Sequence, residues 1–196
     1  MADINWSKHI NTTYSSSTSG SGSTTGTEAN CHDENDTTYL RRYGGGSYWT
    51  GSVHTEFQVN FPVAPPEIHE IKGLLLSTYK KVGSGAWSIQ YYNGSWNTLA
   101  SGGWTGTGIT PYTSDTTGLT LTGVTAVKVV VDTTCSSYSP PPSYLGYAYA
   151  DVWELYVYGE PPITTSIKNY SGVARTSIKK ASGVTIANVK KLMGVS

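Results

Sequence analysis

Four side chains that carry oxygen ligands follow one another at Asp33, Glu34, Asn35 and Asp36. Hard oxygen donors crowded into one loop suit Ca2+, and Asp33, Asn35 and Asp36 are the candidate ligands of a structural ion. The same residue types also cap turns, and the spacing lacks the later Glu of an EF-hand. A second chemistry comes from flat rings beside Gly, Asn and Ser. Trp49, Trp96, Trp104, Tyr43 and Tyr112 are the candidate carbohydrate-binding residues, with Tyr48, Tyr138 and Tyr144 also in or beside loops. Such rings stack on sugar faces, and they serve equally in protein contacts or as covers over the ends of a core.

Nothing in the sequence points to catalysis. His9, His32, His54 and His69 are scattered, and no Gly-x-Ser-x-Gly, His-Glu-x-x-His or phosphate-loop motif occurs. Glu67 and Glu70 sit at a strand edge, where their odd separation puts them on different faces. That does not suggest a glycosidase dyad. The expectation is a protein that is not an enzyme.

The elements that position these residues are strands. The 196-residue chain has 13% charged and 12% aromatic residues, with 22 Gly and 15 Tyr. That composition suits short strands joined by polar turns and not a helical bundle. Val53, Thr55, Phe57, Val59 and Phe61 alternate with His54, Glu56, Gln58 and Asn60, the period of a half-buried strand. Residues 68–79 read as a longer strand interrupted at Gly73. Residues 86–92 and 95–99 flank Asn93-Gly94, a dipeptide that suits a type I′ hairpin turn. Segments 119–121 and 126–131 follow, and 148–158 is the closing strand, ended by Gly159, Pro161 and Pro162. The pattern predicts a mainly β chain: an antiparallel jelly-roll β-sandwich over 30–160. It leaves 1–29 as a flexible or assembly-bound segment, with linker-like composition over 15–27. Cys31 and Cys135, the only two cysteines, precede the first and the closing strand. A disulfide between them is expected, because those positions come near each other in a jelly roll.

Several segments carry a family resemblance. WSIQYYNGSWNTLAS (87–101) resembles the binding-face hairpin of discoidin-like domains. DENDTTYL (33–40) is similar to that family's early Asp-Gly-x-x-x-Thr-x-Trp segment, with Leu40 in place of the Trp. TAVKVVVDT (125–133) and ADVWELYVYGE (150–160) resemble its last two strands, the latter with the typical Glu-x-x-Val-Tyr-Gly. The resemblance is to the discoidin, or coagulation factor 5/8 type C, galactose-binding-like domain. It implies an eight-stranded jelly roll that binds glycans, lipids or proteins through loops at one end, often with a structural calcium in an early loop. A fold of this kind does not name its ligand.

Residues 161–196 form a short basic repeat tail. In elevens it reads ITTSIKNYSGV, ARTSIKKASGV and TIANVKKLMGV, which keeps Gly172, Gly183 and Gly194 in step. Val173, Val184 and Val195 keep the same spacing, as do Ile167, Ile178 and Val189. This is a true internal repeat, similar to tails of phage and environmental surface proteins. Each unit reads as a capped helical turn or as a strand and turn, and apolar spacing favours the helical turn. Either unit is stable only when stacked on something. Residues 1–160 carry a formal charge of −6 and 161–196 carry +6, so the acidic body is a fitting partner for the tail and nucleic acid is not expected. The nine apolar and Gly positions just named are therefore the candidate assembly residues. No stretch is long and apolar enough to span a membrane, and MADINWSKHI has no apolar signal-like core. Asn5, Asn11, Asn35, Asn93 and Asn169 open glycosylation sequons. The expected function is a structural subunit that self-assembles with its own copies into an extracellular filament or virion appendage. The alternative is a carbohydrate-binding adhesin module with a glycan as partner.

Overall fold

The structure, a computed structural model, describes residues 2–35, 37–137, 144–162, 180–181 and 184–185. The chain divides into two units, Met1–Pro162 and Ile163–Ser196.

The first unit is a jelly-roll β-sandwich. Its strands are β1 (Ile4–Asn5), β2 (Thr13–Gly20), β3 (Ser23–Thr25), β4 (Leu40–Ser47) and β5 (Gly51–Asn60). β6 (Ile68–Tyr92), β7 (Trp96–Thr116), β8 (Ala126–Ser137) and β9 (Leu145–Gly159) complete it. All pairings are antiparallel. The expected alternation in β5 is what folds it: Val53, Thr55, Phe57 and Val59 are buried, while the residues between them are half-exposed. The same period buries Val127, Val129 and Val131 of β8 and Ala148, Ala150 and Val152 of β9. These side chains form one core between two layers. The Thr55 hydroxyl crosses that core, donating to Ala150 O at 2.7 Å and accepting from Arg42 N at 3.1 Å, so its burial leaves no polar atom unmatched.

The layers are joined by β6 and β7, which are longer than the sequence pattern suggests. Over 82–92, β6 pairs with β8; over 68–79 it pairs with β9. The register breaks between Tyr79 and Gly83, where the hairpin passes from one layer to the other. One layer runs β2-β5-β8-β6-β7 and the other β3-β4-β9-β6-β7, with β1 on β9. The hairpin loop is 93–95, one residue longer than a type I′ turn, with Gly94 at φ +103°.

Within 1–29, expected as a flexible or assembly-bound segment, Thr13–Gly20 and Ser23–Thr25 are edge strands. β2 pairs with β5 from Thr13↔Asn60 to Gly20↔Val53, and β3 pairs with β4. Ser and Thr offer little to a core, but an edge strand needs only its backbone ladder and a fitting turn. Gly22 supplies that turn at φ +131°, where a Cβ would fall 1.8 Å from Tyr43 O.

The disulfide expectation is corrected, because no bridge joins Cys31 and Cys135. The buried Cys31 thiol donates to Val152 O at 3.4 Å, and the Cys135 thiol to Ser137 O at 3.2 Å. Leu40 pairs with Val152 at one end of β4, and Ser47 with Leu145 at the other, close to where Gly51 pairs with Cys135. A strand of β4's length spans roughly 23 Å at about 3.3 Å per residue, far beyond the ~7 Å Cα limit of a disulfide.

In the second unit, β10 (Lys180–Ala181) and β11 (Val184–Thr185) form an antiparallel pair with Ala181 opposite Val184. These residues are strand, not the favoured helical turn. Of the assembly candidates, Ile167, Gly172, Val173, Ile178, Gly183, Val189, Gly194 and Val195 lie outside the described residues. Val184 is described only as a strand position.

Candidate functional site: an aromatic face on the closing strand

β9 alternates around the core. Ala148, Ala150 and Val152 point inward, so Tyr147, Tyr149, Asp151 and Trp153 take the outer face. β4 lies alongside with Arg41 opposite Asp151, Tyr43 opposite Tyr149 and Gly45 opposite Tyr147. A Cβ at Gly45 would sit 2.4 Å from the Tyr43 hydroxyl, so glycine leaves the space that the tyrosines fill. A register shift at Leu74/Leu75 changes the alternation. Leu155 and Val157 then face the core, while Tyr156 and Tyr158 stay half-exposed.

At the centre of this face Arg41 forks onto Asp151, with Nε donating to Oδ1 at 2.8 Å and Nη2 to Oδ2 at 2.7 Å. The guanidinium carbon lies 4.2 Å from the centre of the Tyr39 ring and 4.6 Å from that of Tyr149. Tyr43 stacks on Tyr149 at 4.7 Å and 24°, Tyr147 meets Tyr149 edge-on at 5.3 Å, and Tyr39 tilts against Trp153 at 5.2 Å. Burial raises the Asp151 pKa above the ordinary carboxylate value, although Arg41 and Trp153 pull the other way. Burial also works against the Arg41 charge, but Asp151 outweighs it and raises the Arg41 pKa. Each of these side chains packs against or pairs with a neighbour on the same face.

Further along β9, Tyr156 and Tyr158 lie near-parallel at 6.1 Å and 12°. With Asp3, Glu34, Glu70 and Lys72 they line an open cleft of about 460 Å³. Tyr158 has a raised pKa, first from burial and then from the charges of Glu34, Glu70 and Glu154. The whole strip offers flat rings for apolar faces and fixed polar groups between them for hydroxyls.

The ring candidates read from the sequence do not gather at one end. Trp49 lies in the β4–β5 turn and packs over Gly44 and Gly51, while Trp96 starts β7 at the far end of β5. Trp96 is 40% exposed, lies edge-on to Tyr92 at 5.4 Å and carries Lys128 Nζ 4.5 Å above its ring. The side chains of Trp104 and Tyr112 lie outside the described ones. Of the candidates whose side chains are described, Tyr43 belongs to the aromatic face, and Trp49 and Trp96 do not. Arg41, Tyr147, Tyr149, Asp151 and Trp153 were not among the sequence candidates, although the alternation of the last four over 147–153 was a readable signal for one shared face.

The oxygen-rich loop is a separate feature. Asn35 N donates to Asp33 Oδ1 and to Glu154 Oε1, both at 2.9 Å, so one amide joins two carboxylates. Thr38 Oγ1 reaches Asp33 Oδ2 at 2.8 Å and Asn35 O at 3.0 Å. The Asn35 side chain accepts from Thr37 instead, which is turn chemistry, and Asp36 lies outside the described residues. Desolvation works against the Asp33 carboxylate, but hydrogen bonds from Glu154, Thr38 and Asn35 outweigh it and lower its pKa. Glu154 is fully buried. Two adjacent carboxylates, one of them out of water, together with hydroxyl and carbonyl oxygens, fit a hard cation such as Ca2+. The Glu of the Glu-x-x-Val-Tyr-Gly segment thus joins this loop, which the loop's own sequence did not reveal.

No protein family matches the chain, and no curated protein does. Solved structures do. A Ruminococcus gnavus GH29 fucosidase solved with fucose is similar over 81% of this chain, at 15% identity and TM-score 0.47; this chain spans 27% of that enzyme's length. A family 32 carbohydrate-binding module from C. perfringens, solved with galactose, is similar over 80% of this chain and 98% of its own, at 16% identity and TM-score 0.41. An F5/8 type C domain from Bacteroides fragilis is similar over 81% of this chain and 96% of its own, at 11% identity and TM-score 0.38. Modules of the kind that the sequence resembles are therefore among those similar to this chain. No helix among the described residues is long and apolar enough to cross a membrane.

Proposed function

We propose that this chain is a non-catalytic carbohydrate-binding module of the extracellular space, and that it holds a glycan against the outer face of β4 and β9. The observation that carries this reading is the run of half-buried rings at Tyr43, Tyr147, Tyr149 and Trp153 around the Arg41–Asp151 fork. Rings fixed in this way stack on a sugar at little entropic cost, and the fork supplies donors in a set geometry. Glycan-array screening followed by calorimetry tests it. Binding that weakens in Tyr149→Ala and in Trp153→Ala supports the reading; an array with no binder overturns it.

Asp33, Thr38 and Glu154 would hold a structural calcium that braces the 31–39 loop. Self-assembly through residues 163–196 is a separate proposal, supported by the −6 and +6 charge split. Sedimentation of the full chain beside a chain ending at 162 tests it, and equal sizes would reject it.

A further inference from the structure

The start of the chain, the start of β6 and the end of β9 bring together a group of side chains that the binding face does not use. Glu67 and His69 are two apart and share a face. Ile68 pairs with Gly159 on one side of β9 and Ile4 pairs with it on the other. Glu160 N donates to Glu67 O at 2.9 Å, and Trp6 Nε1 donates to Glu160 O at 2.9 Å. A Cβ at Gly159 would lie 2.2 Å from Glu67 O, so only glycine lets the two strands close this far. The result is convergence: one His69 ring nitrogen and one oxygen each of Glu67 and Glu160 all lie within 4.8 Å of one another.

The imidazole is also oriented. Asp3 places its two carboxylate oxygens 3.0 and 2.9 Å from His69 Nδ1, while Nε2 is 3.9 Å from Glu67 Oε1. A carboxylate that accepts from Nδ1–H leaves the Nε2 lone pair free for a ligand, the arrangement that supports metal-binding histidines. Tetrahedral Zn2+ with bonds near 2.0–2.2 Å needs ligand atoms roughly 3.3 Å apart. Side-chain rotation of the half-exposed Glu67 and the exposed Glu160 closes the remaining distance. Charge points the same way. Among the described residues, Lys and Arg form ion pairs with Glu34, Asp151 and Glu56, and with none of Asp3, Glu67 and Glu160. Three carboxylates thus surround one imidazole, and no Lys or Arg among the described residues pairs with them.

We infer that Glu67, His69 and Glu160 bind one transition-metal dication, Zn2+ foremost, with Asp3 as the positioning residue and a fourth place open to water. An imidazole nitrogen with two carboxylates suits zinc better than the all-oxygen preference of Ca2+. The ion would fasten the N-terminal segment, β6 and β9 at one point.

The test is zinc calorimetry on the full chain after chelator treatment, with the His ring signals followed by NMR. One Zn2+ per chain is expected, with the His69 signals shifted. His69→Ala should abolish that binding, Glu160→Gln should weaken it, and Asp3→Asn should weaken it roughly 10–100-fold. Glu154→Gln, at the oxygen-rich loop, should leave it unchanged. Melting of each variant in chelator shows that the fold is kept. Absence of zinc binding by the wild-type chain would overturn the inference. So would binding that survives His69→Ala, or shifts confined to His9, His32 or His54; an imidazole held only by its carboxylates would then be the whole role of the cluster.

Discussion

Arg41 and Asp151 face each other across β4 and β9 and share two hydrogen bonds of 2.8 and 2.7 Å, although Asp151 is wholly out of solvent. A buried charge pair of this kind is strongly disfavoured when only one partner is removed. Arg41→Ala should therefore lower stability by about 3–5 kcal/mol. Replacing both by apolar residues, Arg41→Met with Asp151→Leu, should restore most of that loss. The double variant should still fail to bind the glycan. Denaturant unfolding and calorimetry read the two effects separately.

Ring stacking should be local to one face. Tyr149→Ala should weaken glycan binding by about 1–2 kcal/mol, which is about 5–30-fold. Trp96→Ala should leave affinity unchanged, because Trp96 lies on β7 at the Tyr92 hairpin and next to Lys128 of β8, away from β9. Affinity lost in Trp96→Ala and kept in Tyr149→Ala would move the site to that hairpin.

Acid should destabilise the sandwich through His32. Its ring stacks on Tyr14 at 3.8 Å and 6°, and burial holds its pKa below the ordinary His value. A His whose folded pKa is depressed is favoured neutral. The unfolded chain then binds the extra proton first, and stability falls as pH drops from about 6.5 toward the folded pKa. Above about pH 6.5 the contribution is complete. His32→Phe should flatten this part of the stability–pH curve, and His NMR titration checks the direction of the shift.

The Cys31 thiol should be inert in the native state. Burial raises its pKa strongly, and the nearby carboxylates add to that. The thiolate is the reactive form, so a thiol reagent should label Cys31 only upon unfolding. Thermal melts with and without reductant should coincide. A reductant-sensitive melt would restore the disulfide.

Calcium should raise the melting temperature by binding only the folded chain. Glu154→Gln should remove that gain, while His69→Ala should keep it. The pair of variants separates the oxygen-rich loop from the imidazole cluster.

The strands of the core were legible in the sequence because a pleated strand has period two. Val53 to Val59 and Ala148 to Val152 show that period directly, and Gly159 with the prolines after it marks the end. The edge strands were not legible. Thr13 to Thr25 carries no apolar alternation, since an edge strand is held by hydrogen bonds to β5 and β4, which no local pattern records. Composition also could not show that β6 and β7 bend between layers, because that bend depends on which partners each half meets.

The sequence by itself determined that the alternating Tyr149, Asp151 and Trp153 would share one side of the closing strand. Only the tertiary structure decided what stands opposite them. It set Arg41 against Asp151, Tyr43 against Tyr149, Glu160 beside Glu67, and Cys31 a strand's length from Cys135. The physical reason is register. Alternation is a property of one chain segment, whereas register is chosen by packing among all of them, and a single-residue slip would turn every one of these side chains to the other face.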